Sequence, residues 1–137
     1  MSRTVIEKMG IKEGTRSILV NAPEATRAEI DTSSLDVASE LSGKFGYIHL
    51  FARSRSELDD AFPKLEAHLG PKGMLWISWP KSRKLGTDLT LPKVIEIGYE
   101  LVESKCLSVD ATWSALRFTH PREGKAYNNS YGRLPPL

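Results

Sequence analysis

The sequence predicts an open, three-layer α/β sheet, mostly parallel and ended by an antiparallel hairpin. Three observations carry this. Near-continuous apolar runs at residues 17–21, 47–51 and 74–79 have the signature of strands covered on both faces, as parallel strands are. Helical patterns lie between these runs, so strand and helix alternate along the chain. The last two strand candidates, 105–110 and 114–119, are joined only by Ala111-Thr112-Trp113, far too short for a parallel crossover, so they must be antiparallel.

Taken in order, Lys12-Glu13-Gly14-Thr15 is a turn, and Pro23 ends the first strand. A weak helical pattern covers 24–30, followed by a modest strand candidate at 35–38. Gly43 and Gly46 punctuate the approach to the central strand. Ser56-Glu57-Leu58-Asp59 has the form of a capping box, with Leu58, Phe62, Leu65 and Leu69 on one helix face. Pro63 removes one hydrogen bond inside that helix, and Gly70-Pro71 stops it. Gly73 leads into the 74–79 strand, and 80–88 reads as a polar loop. Thr90 caps a helix over 91–101. From Pro121 onward, Gly124, Asn128, Asn129, Gly132 and Pro135-Pro136 leave little to pack, so 121–137 is expected to be a flexible tail on one Rossmann-like domain spanning 1–120. That domain carries one strand-helix unit fewer than a full doubly wound sheet.

A chain of 137 residues suits one ordinary core. No stretch approaches the roughly 18 apolar residues of a membrane span, and MSRTVIEKMG lacks the pattern of a secretory signal. The single cysteine, Cys106, cannot form an internal disulfide, and a cytoplasmic protein is expected. A net charge of +2 does not by itself imply nucleic acid. Local clusters matter more: Lys81-Ser82-Arg83-Lys84, Arg53 with Arg55, and Arg117 with Arg122 and Lys125.

Several segments call up a known architecture. The approach Ile11-Lys12-Glu13-Gly14-Thr15-Arg16 and the stretch LEAHLGPKGML, 65–75, resemble parts of Rossmann-fold S-adenosylmethionine-dependent methyltransferases. The combination of NAP after the first strand, WISWPK in the middle and DATWSALRF near the end resembles a family of short bacterial proteins with a domain of unknown function. Those are trimmed relatives of the methyltransferase fold. The resemblance spans about residues 5–120 and implies a methyltransferase-like sheet.

The cofactor loop departs from that pattern. Methyltransferases use glycines there, so that backbone N–H groups approach the ligand. Here the turn offers Asn21, Ala22, Pro23, Glu24 and Ala25. Asn21 tolerates a left-handed conformation, whereas Pro23 has no N–H to donate. Glu24 places negative charge at a helix start, which stabilises that end by about 0.3–1 kcal/mol and competes with an anionic ligand. The carboxylate that would hold a ribose is either Asp36 or Glu40, and each reads first as an ordinary surface acid. These substitutions argue against ordinary S-adenosylmethionine binding.

Ligands of open α/β sheets gather outside the carboxyl ends of the strands. That rule collects Asn21, Pro23, Glu24, Arg53, Ser54, Trp79, Lys81, Lys84, Asp110 and Trp113 on one edge. The set suits an anionic, ring-containing small molecule. Each member also has a structural reading: the two indoles as core cover, Pro80 as a strand stop, Asp110 and Asp88 as turn or capping groups, Lys81 as a solvated cation. The histidines are separated, so no metal site is expected. Cys106 reads as a small buried hydrophobe. No nucleophile elbow or phosphate-cradling loop is present. The leading expectation is a non-catalytic module binding a small molecule or a protein partner. The alternatives are a divergent methyltransferase using Lys81 and Asp110, and nucleic-acid binding through the basic loop with Trp79 or Trp113 stacking on bases.

Overall fold

The computed structural model describes residues 5–30, 32–81, 86–97, 101–120, 127–129 and 132–134. In chain order the elements are α1 (Val5–Met9), β1 (Arg16–Val20), α2 (Glu24–Ile30), β2 (Asp36–Val37), β3 (Phe45–Phe51), α3 (Arg55–Ala67), β4 (Leu69–Pro80), α4 (Leu91–Ile97), β5 (Val102–Ser108), β6 (Trp113–Thr119), β7 (Tyr127–Asn129) and β8 (Gly132–Leu134). Six strands form one sheet in the order β2-β1-β3-β4-β6-β5. β1 pairs in parallel with β2 and β3, and β3 with β4; β6 then runs antiparallel to both β4 and β5. The expected mixed sheet with its antiparallel end is therefore present.

Alternation along the strands builds the three layers. Ile48 and Leu50 of β3, with Ile18, Leu75 and Ile77, pack against Leu58, Phe62 and Leu65 of α3 and Val94 and Ile95 of α4. On the opposite face, Tyr47, Phe51, Trp76 and Ala115 meet Ile6 and Met9 of α1 and Ile30 of α2. Helix α1 has no counterpart among the sequence-based expectations, although Ile6 and Met9 stand one helical turn apart.

Several boundaries differ from the sequence reading for identifiable reasons. Ser54, rather than Ser56, caps α3: its Oγ accepts from Glu57 N at 3.2 Å, and Glu57 Oε1 accepts from Arg53 N at 3.1 Å. Starting two residues earlier also lets Asp88 Oδ1 accept the Arg55 N–H at 2.8 Å, satisfying a further helix-end donor. The helix continues through Pro63 and ends at Ala67, with His68 as its C-cap.

Gly70-Pro71 is not a helix stop but part of β4. The pairing slips from Phe45↔Leu69 to Tyr47↔Met74, so residues 70–73 bulge past Phe45. A Cβ on Gly73 would stand 2.7 Å from the Phe45 carbonyl oxygen, and one on Gly70 would stand 3.0 Å from it. Glycine permits this close approach, which sequence alone presents as a turn. Pro80 likewise belongs to β4, opposite Trp113. Helix α4 is described over Leu91–Ile97; 98–100 lie outside the described residues, and Leu101, the expected last residue, is not helical. The stretch expected to be a flexible tail contains the short β7–β8 hairpin.

One connection leaves the sheet incompletely covered. The crossover from β2 to β3 passes over β1 in only seven residues, 38–44, none of them helical. Parallel crossovers ordinarily take a dozen or more residues and supply a covering helix. Part of the β1 face beside α3 is consequently open.

Candidate functional site

The edge expected from sequence is real in topology, because β1, β3 and β4 end on one side and the antiparallel β6 begins there. Beside Asn21, Pro23 and Glu24 at the β1–α2 turn, six of its side chains divide into three groups with different tasks. Ser54 and Arg53 belong to the cap of α3, with the Arg53 side chain exposed. Trp79 and Trp113 are only 5% and 3% exposed, and they enter opposite cores. Trp113 meets Phe51 edge-on, with ring centroids 5.2 Å apart. Both indoles serve as core, which leaves little of either ring exposed for stacking on a base. Lys84 lies outside the described residues.

Lys81 and Asp110 form an internal knot. Lys81 N donates to Thr112 O at 2.7 Å, while its Nζ donates to Asp110 O at 2.6 Å and to Ser108 Oγ. Asp110 Oδ1 accepts from Thr112 N and Trp113 N, each at 2.8 Å, and Oδ2 accepts from Thr26 Oγ1 at 2.9 Å. Desolvation pulls the Asp110 carboxyl upward, but those backbone bonds, the Thr26 hydroxyl and the Lys81 charge outweigh it and hold it below its ordinary value. This aspartate is an ionised turn group that ties α2 to the β5–β6 turn. Lys81 is accordingly not a free cation.

A second polar cluster lies within the sheet. His49 is fully buried; its Nδ1 meets Tyr47 Oη and its Nε2 meets Ser78 Oγ, both at 2.6 Å. Phe51 stacks on the imidazole with centroids 4.3 Å apart. Burial drives the His49 pKa down to about 3 and raises that of Tyr47, so both stay neutral at physiological pH. Cys106, expected to be buried, is instead exposed, because β5 is the outer strand of the sheet.

The open β1 face forms a groove of about 440 Å³. Ile18, Val20, Leu41, Ala61 and Leu65 give it an apolar floor, and Asn21, Ser39, Glu40, Asp60 and Lys64 supply polar groups. This volume falls within the roughly 300–1,000 Å³ of small-molecule sites. Asn21 stands at φ 60°, a left-handed turn that sends the chain from β1 toward Pro23 and Glu24. Glu40 follows the end of β2, the strand beside β1.

Of the nine described residues among the ten that sequence assigns to the edge, only Asn21 lines this groove. Glu40 enters the sequence reading as a ribose acid, whereas Ser39, Asp60 and Lys64 do not enter it. Their signal lies in the short interval between two strand candidates, which leaves no residues for a covering helix.

No family model matches the chain, and no curated protein matches it in sequence. Solved structures match its fold. The N-methyltransferase NodS from Bradyrhizobium japonicum aligns at 13% identity and TM-score 0.54, covering 88% of this chain and 92% of that one. A TehB-like SAM-dependent methyltransferase from Corynebacterium glutamicum aligns at 10% identity and TM-score 0.54, covering 85% of each chain. The magnesium protoporphyrin IX methyltransferase from Synechocystis, determined with bound SAM, aligns at 9% identity and TM-score 0.57, covering 85% of this chain and 74% of that one. The chain therefore has a methyltransferase-like α/β fold.

Proposed function

We propose that this chain is a divergent S-adenosylmethionine-dependent methyltransferase that binds the adenosyl part of its ligand in the β1 groove. The carrying observation is the placement of Glu40 after β2, at a groove whose floor is apolar. A carboxylate there suits a ribose diol, since two hydroxyl donors can share its oxygens. Ile18, Val20 and Leu65 suit a flat, weakly polar ring. The neighbours' fold supports this reading over a ligand-free one. The residues fit the nucleoside; when bound, S-adenosylmethionine supplies an activated methyl group on sulfur, and this chain's part is to hold and orient that ligand.

A second reading, ligand binding without turnover, is favoured by one observation. Of the polar groups proposed from sequence for an active edge, Lys81 is committed to the β5–β6 turn, and the Asp110 carboxylate to the backbone of that same turn and to Thr26.

An amide-resolved NMR titration with S-adenosylhomocysteine tests the site. Shifts concentrated at Asn21, Ser39–Leu41 and Ala61–Leu65 are expected. Glu40→Gln should weaken binding about tenfold, the scale of one charge-assisted hydrogen bond. The absence of any shift at millimolar ligand would remove the proposal. A methyl-transfer assay with labelled donor then separates the two readings.

A further inference from the structure

We infer that recognition in this groove stops at the nucleoside, so that the site accepts adenosine compounds almost regardless of what the 5′ carbon carries. This rests on the adenosyl reading and narrows it. An amino-acid or phosphate group attached there needs convergent donors, usually backbone N–H groups from a glycine-rich turn opening a helix. Here Pro23 contributes no N–H, and α2 has only seven residues and carries Glu24 in its first turn. The charge around the groove points the same way. Among the described lining residues, Glu40 and Asp60 outnumber Lys64, which shares a helix face with Asp60 at a spacing of four residues. A ribose and a ring therefore find partners, whereas an appended phosphate or carboxylate meets a local acid excess and gains no N–H from Pro23.

The ligand series that tests this is adenosine, 5′-methylthioadenosine, S-adenosylhomocysteine and AMP, titrated calorimetrically into the wild-type chain. The first three are expected to bind within about threefold of one another, with AMP no tighter than adenosine. Removal of both ribose hydroxyls, as 2′,3′-dideoxyadenosine, should cost about tenfold or more, the scale of one lost hydrogen bond to a charged group.

A tenfold or greater advantage of S-adenosylhomocysteine over adenosine would overturn this inference and leave the adenosyl reading standing. Failure of all four compounds to bind would overturn both. A loop variant supplies an independent check. Pro23→Gly combined with Glu24→Gln adds a donor and removes a charge, and it should raise affinity for S-adenosylhomocysteine without changing that for adenosine. Equal gains for the two ligands would count against the inference. If the variant fails to fold, the wild-type series still decides.

Discussion

Lowering the pH from 7 to 4.5 should destabilise this fold through one buried side chain, His49. In the folded protein its pKa is about 3, because the ring is fully buried; in the unfolded chain it returns to about 6.5. Between those values the unfolded state binds the additional proton, so stability is lost as pH falls through that window and is full above it. Linking the two values gives a loss of roughly 2–3 kcal/mol at pH 4.5, a large share of the about 5–15 kcal/mol that holds a typical domain. The assay is urea denaturation across this pH range for wild type and His49→Gln. Glutamine retains a donor and an acceptor for Tyr47 and Ser78 but does not titrate. The variant should be weaker at neutral pH through loss of the stack on Phe51, and the gap should narrow by about 2–3 kcal/mol at pH 4.5. A constant gap would refute the reasoning.

Three further outcomes concern packing and the knot. Lys81→Ala should cost about 1–3 kcal/mol in urea midpoint analysis, by releasing Ser108 and the Asp110 carbonyl, while leaving adenosine affinity unchanged; an affinity loss with intact stability would return Lys81 to the binding site. Gly73→Ala should cost about 1–3 kcal/mol, because its methyl group meets the Phe45 carbonyl, and thermal denaturation will show whether the bulge adjusts instead. Asn21→Ala should be less stable than Asn21→Gly by about 1 kcal/mol, since the left-handed φ penalises a Cβ; equal unfolding midpoints would contradict that.

The architecture is legible in the sequence where burial is two-sided and continuous. The apolar runs of β1, β3 and β4 announce covered strands, and the brief link before β6 forces its direction. Local chemistry is less decisive where two solutions share one motif. Ser54 and Ser56 both precede an acid at capping distance; Glu57 answers the first locally, and Asp88, far along the chain, adds a partner that the sequence does not display. Gly70 to Gly73 resembles a turn because the carbonyl that demands the glycines belongs to β3. The groove is hidden for a different reason: its shape comes from cover that the chain omits, and side chains chosen for their chemistry fill other posts. Trp79 and Trp113 become core, while Lys81 and Asp110 become fasteners.

The two borders of the sheet are unequal in a way that bears on crowding and self-association. β2 presents two residues at one border, too few to template a neighbouring strand. β5 presents seven at the other. The β7 strand of the C-terminal hairpin lies against β5, so a molecule approaching that border meets the hairpin as well as β5, three strands removed from β3 and four from β1 in sheet order. Copies joined there would keep their grooves on the outside of the pair, accessible to solute, so that higher concentration need not silence the site.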